Sequence, residues 1–108
     1  MRFIVNNQEW ELKFVKPNSK ELMRSDGSIT IGMTDNNKKT VFINNKLKGR
    51  LKDKVLCHEL THVFAFEYDY NIFIEVEEIV ADFMSLYGRD IIYLLDEIME
   101  ILKKAHIA

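Results

Sequence analysis

A five-residue segment of the chain has the residue types and spacing of a metal site: His58-Glu59-Leu60-Thr61-His62. On an α-helix, residues four apart lie on one face about 40° from each other, so two imidazoles can reach one ion. Zn²⁺ prefers such nitrogen ligands. Glu59 lies about 100° round the helix from His58, where it can hold a water molecule rather than ligate. The segment predicts zinc on His58 and His62 with Glu59 as a general base, the arrangement of zinc peptidases; the alternative is an amphipathic helix with two half-buried histidines.

A catalytic zinc site needs a third protein ligand and leaves a fourth position open. Glu75, Glu78 and Asp82 have the spacing i, i+3 and i+7, so they form one polar stripe on a predicted second helix. Glu77 points nearly the opposite way and is expected to be solvated. His106 is far along the chain. The stripe predicts a carboxylate as the third ligand, and the alternative is a solvated helix face.

Within that stripe, Glu78 is favoured over Glu75 as the ligand. Ala81 and Ser85 keep the surroundings of Glu78 small, which allows two helices to approach closely there. Asp82 lies one turn beyond Glu78 and is expected to accept a hydrogen bond from the far nitrogen of a ligand histidine. Such a bond fixes the tautomer and raises the basicity of the ligand.

The elements that must position these residues form an α+β pattern. Residues 2–15 alternate loosely around Asn6-Asn7 and predict one or two short strands; residues 28–34 and 40–43 predict a hairpin. Apolar residues then recur at helical spacing in three segments: about 51–64, 74–87 and 91–102. Gly88 is a plausible helix end. We therefore expect one domain over residues 1–108, with a small mixed or antiparallel sheet beside three main helices.

Composition narrows the class of protein. The chain has 108 residues, 47% of them hydrophobic and 30% charged, with a net charge of -2, which is ordinary for a globular domain and predicts no broad nucleic-acid surface. Cys57 is the one cysteine, expected to be a small buried residue, so no internal disulfide forms and a reducing compartment is favoured. Neither a signal peptide nor a membrane-spanning apolar run is recognisable, which predicts a cytoplasmic protein without a membrane partner.

The run Val55-Leu-Cys-His-Glu-Leu-Thr-His62, followed by Glu78-Ile-Val-Ala-Asp82-Phe83, resembles the gluzincin zinc metallopeptidases. It is most similar to the ImmA/IrrE family and to the small stand-alone minigluzincins. The ImmA/IrrE pattern pairs a His-Glu-x-x-His helix with a later Glu-x-x-Ala-Asn/Asp-Phe helix. The resemblance covers roughly residues 28–87.

The resemblance implies a zincin-like fold and a metalloendopeptidase that acts on a protein or peptide. Zinc would lie on His58, His62 and Glu78, with Glu59 as the base and Asp82 as an orienting residue. A substrate would add as a strand to the hairpin edge, and the segment expected to form that edge is Thr40, Val41, Phe42, Ile43 and Asn44.

The chain also departs from the resemblance in its C-terminal part. Larger gluzincins carry a second subdomain that supplies a His or Tyr to the oxyanion, whereas about twenty residues follow Gly88 here. The candidates for that role are Tyr68, Tyr70, Tyr87, Tyr93 and His106. The last helix could close the core, form a homodimer face, or return over the cleft as an inhibitory tail, bringing His106 to the metal. The alternative functions are a zinc-binding regulatory module with little activity and a metal-free domain with a chance motif.

Overall fold

The first two strands form a hairpin whose turn follows directly from its sequence. In the computed structural model, which describes residues 1–105, β1 (Arg2–Val5) pairs antiparallel with β2 (Gln8–Val15), and Val5 lies opposite Gln8. The two loop residues Asn6 and Asn7 both have positive φ, 50° and 65°. A two-residue loop with that geometry matches the twist of the flanking strands, and asparagine tolerates it.

The other two strands complete a mixed four-stranded sheet in the order β1-β2-β4-β3. After a short 3-10 turn (Lys20–Leu22), β3 (Gly32–Asp35) pairs antiparallel with β4 (Thr40–Asn44), as the predicted hairpin requires. The turn is held by the Asp35 carboxylate, which accepts hydrogen bonds from the backbone N–H groups of Asn37 and Lys38. Strand β4 also pairs parallel with β2. The sheet is therefore mixed, β4 is an inner strand, and β3 is an edge.

Helix α1 (Gly49–Glu67) packs across this sheet and closes the hydrophobic core. The core contains the strand residues Val5, Trp10, Leu12, Val41 and Ile43 together with Val63 of the helix. The Trp10 indole N–H donates to the Glu67 carboxylate over 2.8 Å, which fixes the end of α1 on β2. The face of α1 that carries Val63 therefore lies against the sheet, and the neighbouring face with His58, Glu59 and His62 turns to the cleft beside β3.

The chain continues as a second helical run from residue 74 to residue 104. Helix α2 (Ile74–Phe83) packs on α1, the five-residue π segment (Met84–Gly88) follows, and α3 (Arg89–Lys104) continues from it. The Cys57 thiol of α1 contacts the Met84 carbonyl at 3.5 Å, so the π segment also lies against α1. The predicted end at Gly88 is thus a π-helical irregularity within a continuous run rather than a break.

The α+β class is confirmed, and the apolar stripe of the predicted segment 74–87 lies exposed. This stripe consists of Val76, Ile79, Val80, Phe83 and Tyr87. Helix α3 contains no buried residue, so it does not close the core. The molecule measures 55 × 30 × 27 Å along its principal axes. Within residues 1–105, no helix is both long enough and apolar enough to cross a membrane.

Candidate metal centre

The nitrogen atoms of the two motif histidines converge on one point beside α2. The Nε2 atoms of His58 and His62 lie 3.2 Å apart. Glu78 of α2 brings its two carboxylate oxygens to the same point, Oε1 at 2.6 Å from Nε2 of His62 and Oε2 at 3.5 Å from Nε2 of His58. Within residues 1–105, the side chains of His58, His62 and Glu78 form the group that could hold a metal ion. We call these three side chains the ligand group.

The spacing of these atoms fits a small tetrahedral ion. Bonds of about 2.0–2.2 Å place neighbouring tetrahedral ligand atoms about 3.3–3.6 Å apart. The separation of the two histidine nitrogens, 3.2 Å, is close to that value without any movement. The exposed Glu78 side chain can adjust its shorter contact by rotation, since half of it remains accessible to solvent. The donor set of two imidazoles and one carboxylate also belongs to the ligands that zinc takes at catalytic sites.

The second nitrogen of each histidine is held by a carboxylate of α2. Nδ1 of His58 lies 2.9 Å from Oδ1 of Asp82, as the spacing predicts. Nδ1 of His62 lies 3.3 Å from Oε2 of Glu77. When each Nδ1 carries the ring proton toward its carboxylate, the lone pair of each Nε2 is free for an ion at the shared point.

The contact of Glu77 corrects an expectation from the sequence. Glu77 was expected to point away from the stripe into solvent, but it is 6% exposed and lies against His62. The physical reason is the approach of α2 to α1, which places the arc between Glu77 and Glu78 toward the histidines. Glu75, the alternative third ligand, is exposed and is not a member of the metal-capable group.

Glu59 lies next to the ligand group in a more enclosed position. Its side chain is buried, and its Oε1 accepts a hydrogen bond of 2.8 Å from the hydroxyl of Thr34 on β3. Burial raises the pKa of the Glu59 carboxyl above its ordinary value, while the hydrogen bond from Thr34 and the two histidines oppose that rise. A carboxyl group that has a raised pKa and lies beside the ligand group can take up a proton and release it again.

Close packing of β3 against α1 at Glu59 depends on Gly32. A β-carbon at position 32 would lie 2.8 Å from Cγ1 of Val55 and 3.1 Å from both Cγ and Oε2 of Glu59. A glycine lets the strand and the helix approach closely enough for Thr34 to reach Glu59. Sequence reasoning missed both Thr34 and Gly32, because neither residue belongs to a motif.

We expect the substitution Gly32→Ala to lower the free energy of unfolding by about 1–3 kcal/mol, the usual cost of overpacking. It would also push Glu59 from its position, since the new methyl group contacts that side chain. Urea denaturation measures the first effect. The substitution Asn37→Ala, at an exposed position in the turn after β3, is the control and should leave the stability nearly unchanged. Equal stability of the Gly32→Ala variant and the parent would contradict the contact.

A cavity of about 710 Å³ opens over the ligand group. One wall is β3 with the residues before it, and the other is formed by α1 and α2. Arg24 and Lys54 contribute positive charge to its lining, and Arg24 is held by a hydrogen bond to Thr30. The cavity is therefore a cleft between a sheet edge and the two helices that carry the ligand group.

The strand at the rim of this cleft is β3, and the prediction that Thr40–Asn44 forms the edge is wrong. Those five residues form β4, which pairs with β2 on one side and β3 on the other. Thr40, Val41, Phe42 and Ile43 are buried. In contrast, no strand of residues 1–105 pairs with the outer side of β3.

The tyrosines considered for the oxyanion role do not reach the cleft. Tyr68, Tyr70, Tyr87 and Tyr93 are exposed, and none of them lines the cavity described above. His106, the remaining candidate, lies outside the described residues. Cys57 contacts the π segment instead of the metal group, and burial raises the pKa of its thiol.

Comparison with known proteins adds no relative. No protein-family model, no curated protein and no solved structure matches the chain. The interpretation of this centre therefore rests on its own residues and geometry.

Proposed function

We propose that the protein is a zinc-dependent metalloendopeptidase that hydrolyses peptide bonds in a protein or peptide substrate. The observation that carries this proposal is the joint placement of the ligand group and Glu59. His58, His62 and Glu78 converge from two helices, and the buried Glu59 carboxylate lies beside them at the base of an open cleft. A purely structural zinc site has four protein ligands and needs neither a cleft nor an adjacent base.

The roles of the residues follow from their positions. The ligand group would hold zinc, which when bound would supply Lewis-acid polarisation of the scissile carbonyl and activation of a water molecule. The Glu59 carboxylate would take a proton from the attacking water as its oxygen bonds to the carbonyl carbon, and would deliver that proton to the leaving amine as the C–N bond breaks. Thr34 holds that carboxylate in place through the hydroxyl hydrogen bond. Asp82 and Glu77 hold the histidine rings at the angle at which both Nε2 atoms face the same point.

The free edge of β3 is the proposed binding strand for the substrate. The Asn44 N–H donates to the Ile31 carbonyl over 3.0 Å, and hydrogen-bonded pairs alternate along an antiparallel ladder. The backbone groups of Gly32 and Thr34 therefore point away from β4, toward the open side of the cleft. An extended peptide can add there as a fifth strand and so pass over the ligand group.

The experiment for the proposed function is peptide-library cleavage by the zinc-loaded protein. We expect cleavage that a chelator abolishes and that added zinc restores. N-methylation of backbone amides flanking the cleaved bond should raise KM, because it removes donors that a strand on β3 would use. Cleavage that persists fully in chelator, by protein shown to be free of metal, would contradict the zinc mechanism.

A smaller catalytic effect is expected from the substitution Thr34→Val, which keeps the β-branched shape and removes the hydroxyl. Glu59 would lose its hydrogen bond and its fixed orientation, so kcat should fall about 10-fold, a loss of roughly 1.4 kcal/mol of transition-state stabilisation. The Thr34→Ser variant keeps the hydroxyl and is the control, with activity near that of the parent. Steady-state kinetics with zinc affinity measured in parallel separates this effect from loss of metal. Identical kcat in all three proteins would show that the hydrogen bond has no catalytic role.

The resemblance to gluzincins supports this proposal and extends it. We infer a minimal zincin-like domain similar to the ImmA/IrrE family and the minigluzincins, since Glu78 and Asp82 contact the motif histidines as that resemblance implies. A cytoplasmic location and a regulatory or self-inhibited activity belong to the same proposal. The free Cys57 is compatible with a reducing compartment.

A specific observation favours a second candidate, a zinc-binding regulatory or interaction module with little activity. The cleft is open, and within residues 1–105 no tyrosine lines it as an oxyanion group. Helix α3, with no buried residue, forms no second wall. The two candidates differ in the cleavage assay: the module binds zinc with the same ligands but releases no peptide product.

A further inference from the structure

Glu77 is the buried carboxylate of α2 that the proposed reaction does not use directly. It is 6% exposed. Because ionisable side chains are seldom buried without a partner, a partner for this carboxylate is expected. Its partner is Nδ1 of His62 at 3.3 Å, and the His62 side chain is itself only 9% exposed. A buried contact between a carboxylate and a ligand histidine has a consequence for the metal.

We propose that Glu77 is the dominant positioning residue of the metal centre, acting through His62. This inference rests on the proposed use of His58, His62 and Glu78 as metal ligands. With Nε2 of His62 on a metal, its proton must reside on Nδ1, and the Glu77 carboxylate, 3.3 Å from that nitrogen, is within reach to accept a hydrogen bond from it. The accepted bond holds the neutral tautomer, fixes the ring and raises the basicity of the ligand nitrogen.

The two carboxylates of α2 differ in burial, and we therefore expect them to differ in their contribution to metal affinity. Asp82 makes the shorter contact, 2.9 Å to Nδ1 of His58, but its side chain is 70% exposed. Water competes for an exposed carboxylate and screens its charge, so its interaction is weak. The Glu77 side chain is 8% exposed and its interaction with the imidazole is screened far less. Glu77 therefore contributes more to metal affinity than Asp82.

The test compares zinc dissociation constants by competition with a fluorescent chelator. We expect Glu77→Gln to raise Kd about 10- to 100-fold, the usual effect of losing a partner of a ligand histidine. Asp82→Asn should raise it less. The matched control is Glu75→Gln, the same change at an exposed position two residues earlier on the same helix, which should leave Kd unchanged. Thermal unfolding of the metal-free proteins reports whether Glu77→Gln folds.

A second readout distinguishes positioning from a general structural role. In the zinc-loaded parent, the ¹⁵N shifts of the His62 ring should show a protonated Nδ1, and Glu77→Gln should move that resonance while the His58 ring keeps its own. A folded Glu77→Gln variant with the parent's Kd and unchanged His62 shifts would overturn the proposal. A parent that binds no zinc would instead overturn the proposed function, so the two failures are distinguishable. If Glu77→Gln does not fold, Glu77→Asp, which keeps the charge on a shorter arm, takes its place.

The exposed face of α3 carries an independent inference, which does not depend on the metal. Eight apolar side chains occupy half of the helix circumference, and seven of them are 44–59% exposed. They define the α3 apolar face: Ile91, Ile92, Leu94, Leu95, Ile98, Met99, Ile101 and Leu102. Contiguous exposed apolar surface of this kind marks an interaction site, and the spacing of residues 91, 94, 98 and 101 is that of a helix–helix seam.

We infer that the α3 apolar face pairs antiparallel with the same face of a second copy of the chain. The charges at its margins select this occupant and this direction. Asp96 and Glu97 lie near the middle of the helix, and Lys103 and Lys104 lie in its last turn. A parallel pair would place lysines beside lysines, whereas a staggered antiparallel pair places them beside the acidic residues of the other copy. Opposed helix dipoles favour the same arrangement.

Analytical ultracentrifugation over micromolar concentrations tests this pairing. We expect a dimer for the parent, a monomer for Ile98→Glu in the middle of the seam, and a dimer for the control Tyr93→Glu on the polar side of the same helix. Neither change should unfold the protein, since α3 has no buried residue. Lys103→Glu combined with Lys104→Glu should weaken the dimer. A monomeric parent, or a dimer that survives Ile98→Glu, would overturn the inference, and capture of a different protein by a monomeric parent counts against it as well.

Discussion

The substitution Glu59→Gln is expected to lower kcat for peptide cleavage by about 10²- to 10⁴-fold, the usual contribution of a positioned general base. Glutamine keeps the size of the side chain and can still accept a hydrogen bond from Thr34. It cannot take a proton at neutral pH. Because Glu59 is not a member of the metal-capable group, zinc content and Kd should stay at the values of the parent.

The control for that experiment is Glu67→Gln, which makes the same chemical change at the far end of the same helix. Glu67 accepts the Trp10 hydrogen bond and lies outside the cleft, so this variant should lose some stability but keep its kcat. Product release is followed by mass spectrometry with both variants at equal zinc occupancy. If Glu59→Gln cleaves every substrate as fast as the parent, Glu59 is not the base. If neither protein releases a product at full zinc occupancy, the binding-module alternative gains support.

The second large effect is expected from the substitution Glu78→Ala, which should weaken zinc binding. Removing one of three protein ligands should weaken zinc binding by more than the roughly 10- to 100-fold loss that accompanies removal of an outer partner. Glu78 contacts Nε2 of both histidines, so its loss also leaves those nitrogens without a carboxylate opposite. Cleavage should be lost together with zinc.

Glu75→Ala is the matched control for Glu78→Ala. Both residues are exposed glutamates on α2, one turn apart, and Glu75 was the alternative ligand in the sequence. Isothermal titration with zinc should give parent-like affinity for Glu75→Ala. The reverse order, with a greater loss for Glu75→Ala than for Glu78→Ala, would show that α2 presents a different face to the metal than the structure gives.

The sequence predicts the features that depend only on residue spacing within one helix or one turn. The spacing i, i+4 places His58 and His62 on one face of any helix, and the same spacing relates Glu78 to Asp82, so each pair shares a face once both elements are helical. The turn at Asn6-Asn7 and the α+β class follow from equally local signals. For these residues, the structure adds distances to a pattern already visible.

The predictions that were wrong concern how strands and helices pack against one another. Strand order is a tertiary property, so the β-branched and aromatic run in Thr40–Asn44 did not reveal that β2 pairs with the side of β4 that was expected to be free. The rotation of α2 about its axis is equally non-local, so an apolar stripe within 74–87 does not show which side of the helix meets α1. In the structure, the side that meets α1 carries Glu77, which is buried in contact with His62.

The most direct test of the central claim is the anomalous diffraction of zinc in crystals of the zinc-loaded protein, measured on both sides of the zinc absorption edge. We expect one ion for each chain, within about 2.2 Å of Nε2 of His58, Nε2 of His62 and a carboxylate oxygen of Glu78. Glu59 should lie beside the ion without a direct bond to it. An ion bound elsewhere, or no ion at this group at full zinc loading, would contradict the proposed metal centre.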